Sequence, residues 1–363
     1  MTKRKNKGGK AVVYVLIALV FAGAVFISIN FTKYYNRYKK NIKESSVLYL
    51  RTGSDYQTLL DSLAPKLKNM ASFVKVANKE GLPGHVRPGR YVLKTTTTNI
   101  QLVRAIKHGY QDALTVTIAG TIRSKEKLAA VLGRKMEADS LAFITEFNDS
   151  TVLASLGLNK DNFLTLFIPD SYEMYWTVTP AEFIAKMKAE YDKFWDASRV
   201  AKAQAMGLTK PEVSTLASIV CDESNYVPEY PNIASVYLNR YHKGDRLCAD
   251  PTVKFALHDQ TIKRILFRHL QVDSPYNTYK HTGLPPGPIL IPSKAGIDGV
   301  LNAAKTNYMY FCANPKLNGT HLFAVTDVEH AANARKYQHV LDSLERAKRA
   351  AAAGAAGAAG AAN

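Results

Sequence analysis

Acidic side chains are scarce in this sequence, and cysteines scarcer. Asp and Glu number 30 against 48 Lys and Arg, leaving a formal net charge of +18. The shortage is uneven: in residues 1–50 Glu44 stands alone against ten Lys and Arg, so +9 of the excess lies there. A basic chain can address nucleic acid, but these charges flank an apolar run. Anionic lipid headgroups are the simpler partner, and no nucleic acid is expected. The three cysteines, Cys221, Cys248 and Cys312, stand at no metal-ligand spacing and cannot all pair with one another. Nothing suggests zinc, and no cofactor is expected.

At 363 residues, 47% of them hydrophobic, the chain can bury a sizeable core and is expected to hold more than one domain. Residues 11–31, AVVYVLIALVFAGAVFISINF, are uncharged and long enough to span a bilayer as a helix. A cleaved signal peptide is the main alternative. The run exceeds a usual signal core, and no small-residue cleavage site is followed by neutral sequence, which favours an uncleaved anchor. Lys and Arg lie on both flanks. Long following domains translocate largely regardless of charge, so residues 1–10 are read as a cytoplasmic basic tail, with the bulk outside.

The remainder reads as α+β. Residues 32–45 form a basic linker. Residues 46–112 are a small mixed module with strands at 46–51 and 90–94 and helices at 56–64, 70–79 and 100–108. Residues 113–344 form a larger domain. It begins with a strand at 114–118, a helix at 124–132 capped by Ser124, and a helix at 139–147 that buries Leu141 and Ile144. A long amphipathic helix runs from Pro180 to about 203. Further helices fall at 233–241 and 297–304, and strands at 308–313 and 320–324. The Ala/Gly-rich residues 345–363 read as a frayed tail without chemistry.

One stretch organises this domain. Thr209 with Glu212 makes a capping box, and Pro211 lies in the first turn, where its missing N–H does no harm. Val213, Leu216, Ala217 and Val220 recur at helical spacing, and Glu223 continues their stripe. A carboxyl group on an apolar face is desolvated, which raises its pKa towards that of a general acid at neutral pH. The spacing fits equally a frayed helix end at which Glu223 turns into water.

Around that glutamate an ordered set of motifs appears: ASIV and Glu223-Ser224, then Glu229, IASVYLNR at 233–240 and DPTV at 250–253. YNTY follows at 276–279, GLPPGPI at 283–289, and Pro292. Together they resemble the YceG-like endolytic murein transglycosylase family, over roughly residues 43–342. GTHLF and the later His330 resemble its terminal elements. The resemblance implies a LysM-like module at 46–112, glycan-binding or a mere spacer, followed by a lysozyme-like, YceG-like catalytic domain at 113–344. It places the chain in the bacterial inner (cytoplasmic) membrane as a single-pass protein, with the catalytic domain facing the periplasm. Its partners would be peptidoglycan glycan strands and cell-wall synthesis proteins such as penicillin-binding proteins.

Glu223 matches the family's catalytic glutamate, and Ser224 completes its Glu-Ser pair. Glu229, Asn239, Arg240, Asp250, Thr252, Tyr276, Asn277 and Tyr279 occupy matched positions and are candidates to bind substrate. Five of them have a plainer reading. Glu229 and Asp250 would cap the segments after them, Arg240 would form a structural ion pair, and the tyrosines would sit in the core. The aromatics Phe167, Tyr172, Tyr175 and Trp176 read either as core or as sugar-stacking surface. The family usually carries an acidic residue where Cys221 stands and Gln where Cys248 stands. A Cys221–Cys248 disulfide is one reading of that double departure.

A single glutamate is enough for the implied chemistry. It protonates the glycosidic oxygen, then takes the proton from the C6 hydroxyl of the same N-acetylmuramic acid residue, which attacks C1 and closes a 1,6-anhydro ring. The rival readings are a glycan-binding scaffold that has lost turnover, and a water-using muramidase pairing Glu223 with Asp250 or Glu229.

Overall fold

The computed structural model describes residues 7–262 and 264–360, so most of the basic tail lies outside the described residues. Helix α1 (Lys7–Tyr38) carries the apolar run, whose residues 11–31 are all exposed, while Asn36 and Arg37 near the end of the helix are partly covered. That is consistent with one membrane anchor or a signal sequence. The chain divides into two compact units, with α1 falling in the first.

The first unit reaches Thr115 and includes Lys135–Glu137 and Glu173–Val178. Strand β1 (Ser46–Leu50) is followed by α2 (Tyr56–Leu63), α3 (Met70–Lys79), β2 (Gly89–Leu93) and α4 (Asn99–His108). The strands pair antiparallel, Ser46 opposite Leu93 and Leu50 opposite Gly89. Asp55, Asn69 and Thr98 cap the three short helices with their side chains. Leu48, Leu50, Leu59, Leu63, Phe73 and Ile106 fill the centre. The stretch read as a linker takes part in this packing: α1 runs on to Tyr38, Ile42 is 1% exposed, and Asn41 donates to Asn99 Oδ1 at 2.8 Å. A buried amide needs such partners, so these residues are held by the core.

The second unit begins at Val116 and holds most of the remaining chain. Strand β3 (Leu114–Ile118) precedes α5 (Lys125–Gly133), α6 (Ser140–Asn148) and α7 (Ser150–Ser155). Strand β4 (Asp170–Met174) pairs with β3. Then come α8 (Pro180–Phe194), α9 (Ala197–Ala205), α10 (Lys210–Glu223), α11 (Tyr230–His242), α12 (Asp250–Ala256) and α13 (Lys294–Leu301). The hairpin β5 (Tyr310–Ala313) and β6 (His321–Ala324) leads into α14 (Asp327–Gly360).

Three expectations change, and one open reading is decided. In α6 the buried face is Phe143 and Phe147, while Leu141 is 69% exposed. Those two rings join Phe163, Phe167 and Phe183 in one aromatic cluster, and the larger area buried decides which face turns inward. The long helix breaks after Phe194, because Asp196 accepts from the Arg199 N–H and starts α9 afresh. Phe167, Tyr172 and Trp176 are buried, and only Tyr175 is exposed, so three of the four aromatics read as core. The Ala/Gly tail continues α14 as far as Gly360; alanine has the highest helix propensity and offsets the spaced glycines.

Candidate active site

Helix α10 is laid down by its own sequence. The Thr209 side chain accepts from the Glu212 N–H, and Glu212 accepts in return from the Thr209 N–H at 2.8 Å. Every residue from Val213 to Val220 is buried, so the helix is enclosed on all sides rather than along one stripe. Its last turn lies against α13 with almost no clearance: a Cβ built on Gly296 would fall 2.2 Å from Cys221 Sγ. The rigid turn at 284–288 closes as tightly, since a Cβ on Gly287 would lie 2.0 Å from the Asp161 carbonyl oxygen.

Glu223 ends α10 and is only partly accessible, from a cleft of about 730 Å³. Tyr237, one helix away on α11, donates its hydroxyl to Glu223 Oε1 at 2.5 Å. Burial pushes the Glu223 carboxyl up to about 7; Asp250 and Asp222 add to the rise, while the Tyr237 hydrogen bond and Lys254 oppose it. A carboxylic acid that keeps its proton near neutrality at the wall of an open cleft is equipped to give that proton and take one back.

The neighbouring charges are fixed. Arg123 holds Asp222 through two hydrogen bonds, at 2.6 and 3.0 Å. Tyr279 donates to Asp250 Oδ1 at 2.6 Å. Arg240 donates to the Met309 and Leu247 carbonyls at 2.7 and 2.6 Å and lies over the Tyr310 ring. The far wall is β5 with His321 and His330. Among the described residues no group of three His, Cys, Asp or Glu is arranged to hold a metal ion.

A profile of the YceG-like family matches residues 48–336. The chain belongs to the YceG-like family. It is similar to the endolytic murein transglycosylase of Bacillus subtilis, 28% identical over 252 residues, which is 66% of this chain and 68% of that protein. The endolytic murein transglycosylase of Streptococcus pneumoniae is 23% identical over 339 residues, covering 78% of this chain but 61% of that protein's length. A crystal structure of a yceG-like protein from Listeria monocytogenes superposes with a TM-score of 0.53 at 26% identity, covering 80% of this chain and 99% of that one.

Of the positions matched to YceG-like motifs, Glu223, Arg240, Asp250 and Tyr279 line the cleft. The others turn elsewhere. Ser224 is buried, its hydroxyl accepting from the Tyr226 N–H at 3.0 Å and its carbonyl from the Tyr230 hydroxyl at 3.1 Å. Glu229 accepts from both the His321 N–H at 3.0 Å and its ring Nδ1 at 2.8 Å, tying α11 to β6. Asn239 donates to the Thr306 and Tyr308 carbonyls, each at 2.9 Å, and Asn277, fully buried, to those of Leu270 and Val272. Thr252 is fully buried against Thr278, and Tyr276 packs on Phe255. The side chains of Glu229 and Asp250 cap no helix, and Arg240 binds carbonyls rather than a carboxylate.

The Cys221–Cys248 bridge is absent: both thiols are free. Cys221 Sγ lies 3.3 Å from Ser293 Oγ on the α13 side, whereas Cys248 lines the cleft, so the two point into different surroundings. Tyr237 is not among the residues that the motifs single out. Its signal was a tyrosine within the apolar face Ile233–Ala234–Val236, where a buried hydroxyl requires a partner.

Proposed function

We propose that the chain is an endolytic murein transglycosylase that cuts the N-acetylmuramic acid–N-acetylglucosamine bond of peptidoglycan and leaves 1,6-anhydro ends. The observation that carries this is Glu223: one partly accessible carboxyl group, raised to about 7, on the wall of an open cleft in a YceG-like chain. Tyr237 occupies Oε1, which leaves Oε2 to face the glycan. From Oε2 the proton passes to the glycosidic oxygen as the C1–O bond breaks. The same carboxylate then accepts the proton of the C6 hydroxyl as that oxygen bonds C1. Proton and bond counts balance within the sugar, and no water is consumed. Arg240, Asp250 and Tyr279 are the cleft residues proposed to bind the strand.

Asp250, on the same cleft, supports a second reading, a muramidase that uses water. Mass analysis of products from purified murein separates the two, since anhydro ends are one water lighter than reducing ends. Glu223→Gln should fold, bind strands and lose about 10²–10⁴-fold in rate. Reducing ends would favour the muramidase, an inactive wild type the scaffold, and an active Glu223→Gln would remove the mechanism.

The proposal extends to the setting. Residues 11–31 would anchor the chain once in the bacterial inner membrane, with both units outside. The module at 46–112 would be LysM-like, for which its strand–helix–helix–strand order and its own core are the support. Work on nascent strands beside cell-wall synthases such as penicillin-binding proteins follows from the resemblance alone.

A further inference from the structure

Where α1 leaves its apolar span it lies along α3, and the two helices enclose a hollow of about 300 Å³. The apolar part of the floor is Ile29 of α1 and Val76 of α3, with Ser28, Thr32 and Asn36 of α1 adding uncharged polar groups to the lining. The rim is cationic: Lys33 and Arg37 stand one turn apart on α1, and Lys75 and Lys79 one turn apart on α3. Like charges at that spacing repel within each helix. Arg37 is offset by Glu80 at 2.7 Å, but Lys33, Lys75 and Lys79 have no ion-pair partner among the described residues.

The junction is built rather than incidental. The Ser72 hydroxyl donates to Asn36 Oδ1 at 2.8 Å, and Asn99 Nδ2 to the Asn36 carbonyl at 2.8 Å, so α3 and α4 both grip the end of α1. Side chains that repel one another are thereby held around one space, above an apolar floor continuous with the exposed span.

We propose that this hollow binds the phosphate headgroup of an anionic phospholipid, its glycerol and upper acyl carbons resting on Ile29 and Val76. The anion offsets the unpaired lysines, and the apolar floor distinguishes a lipid from a free ion. The lipid would pin the first unit at the membrane surface. The proposal rests on reading α1 as an uncleaved membrane span.

The test uses full-length protein in detergent, studied by native mass spectrometry with phosphatidylglycerol and with phosphatidylcholine of identical chains. Phosphatidylglycerol should be retained in preference, and Lys75→Ala with Lys79→Ala should reduce its retention about fivefold per lysine. Lys68→Ala with Lys94→Ala, exposed lysines of the same unit, should change nothing. No preference between lipids, or equal loss in the control variant, would overturn the site. Displacement by millimolar inorganic phosphate would show an anion site without lipid recognition and overturn it too. Alkaline extraction of membranes tests the anchor separately: release of the protein defeats the anchor, whereas retention without phosphatidylglycerol preference defeats the lipid site alone.

Discussion

Tyr237 and Glu223, fourteen residues apart on successive helices, share a hydrogen bond of 2.5 Å between the phenol and Oε1. Burial, followed by the nearby Glu223 charge, lifts the Tyr237 hydroxyl well above its ordinary range, so it donates throughout the working pH. Donation to a carboxylate favours the charged form, and here it restrains the rise that burial imposes on Glu223. The pair therefore sets both the direction of the carboxyl group and the pH at which it holds a proton.

Tyr237→Phe removes that restraint and keeps the ring. The basic limb of the kcat/KM profile, which falls as Glu223 loses its proton near pH 7, should move up by about one unit, since a hydrogen bond to a charged group is worth about 1.5–3 kcal/mol. A residue that merely filled space would leave the limb where it stands. Steady-state rates on soluble glycan strands from pH 5 to 9 decide between these outcomes.

A raised carboxyl pKa is also a statement about stability. Folded Glu223 binds its proton up to about 7, whereas the unfolded side chain releases it near 4.5. Between those values the native state holds more protons, so stability falls as pH rises through that window. Glu223→Gln abolishes this loss. At pH 8 the variant should be more stable than wild type by about 1–3 kcal/mol in urea titrations, and the gap should close by pH 4.5. Equal stability at both pH values would mean that Glu223 is not desolvated.

Asp222 sits beside Glu223 and helps to raise it, and Arg123 holds Asp222 bidentately. Arg123→Ala leaves that charge partly buried and unpaired. Loss of stability on the order of 1–2 kcal/mol is expected, because the pair is only partly screened by solvent. The activity limb should shift upward as Asp222 acts on Glu223 without its counter-charge. Removing both in Arg123→Ala/Asp222→Ala should return the limb to the wild-type position or below it. A shift that persists in the double variant would assign the effect to backbone movement.

These relationships were unevenly legible in the sequence. The capping box of α10 depends on a neighbour three residues away and is legible in the sequence, whereas the single apolar stripe leading to Glu223 is in fact burial on every side of the helix. Whether a polar side chain faces the cleft depends on what packs across from it, which local spacing does not encode. Asn239 and Asn277 look like substrate ligands in their motifs, yet each spends its amide on two carbonyls that hold the surrounding loops. Glu229 likewise serves β6, 92 residues later in the chain. In α6 both faces carried apolar residues, and only the distant Phe163, Phe167 and Phe183 decided for Phe143 over Leu141.

Cys221 lies in the last turn of α10, and its sulfur fills the space against Gly296 of α13. Gly296→Ala would place a methyl group 2.2 Å from Sγ, so either the Cys221 side chain leaves its rotamer or the two helices shift apart. Overpacking of this kind typically costs about 1–3 kcal/mol, and a shift of the helices would also displace the helix end that carries Glu223. Activity and stability should fall together. Cys221→Ala removes the sulfur, so Cys221→Ala/Gly296→Ala should recover much of both, with a favourable coupling in the double-mutant cycle. Recovery should be incomplete, because Ser293 Oγ and the Ala217 carbonyl lie 3.3 and 3.4 Å from the same methyl position. Additive losses in the cycle, measured by urea unfolding, would show that the sulfur does not set the spacing of α10 and α13.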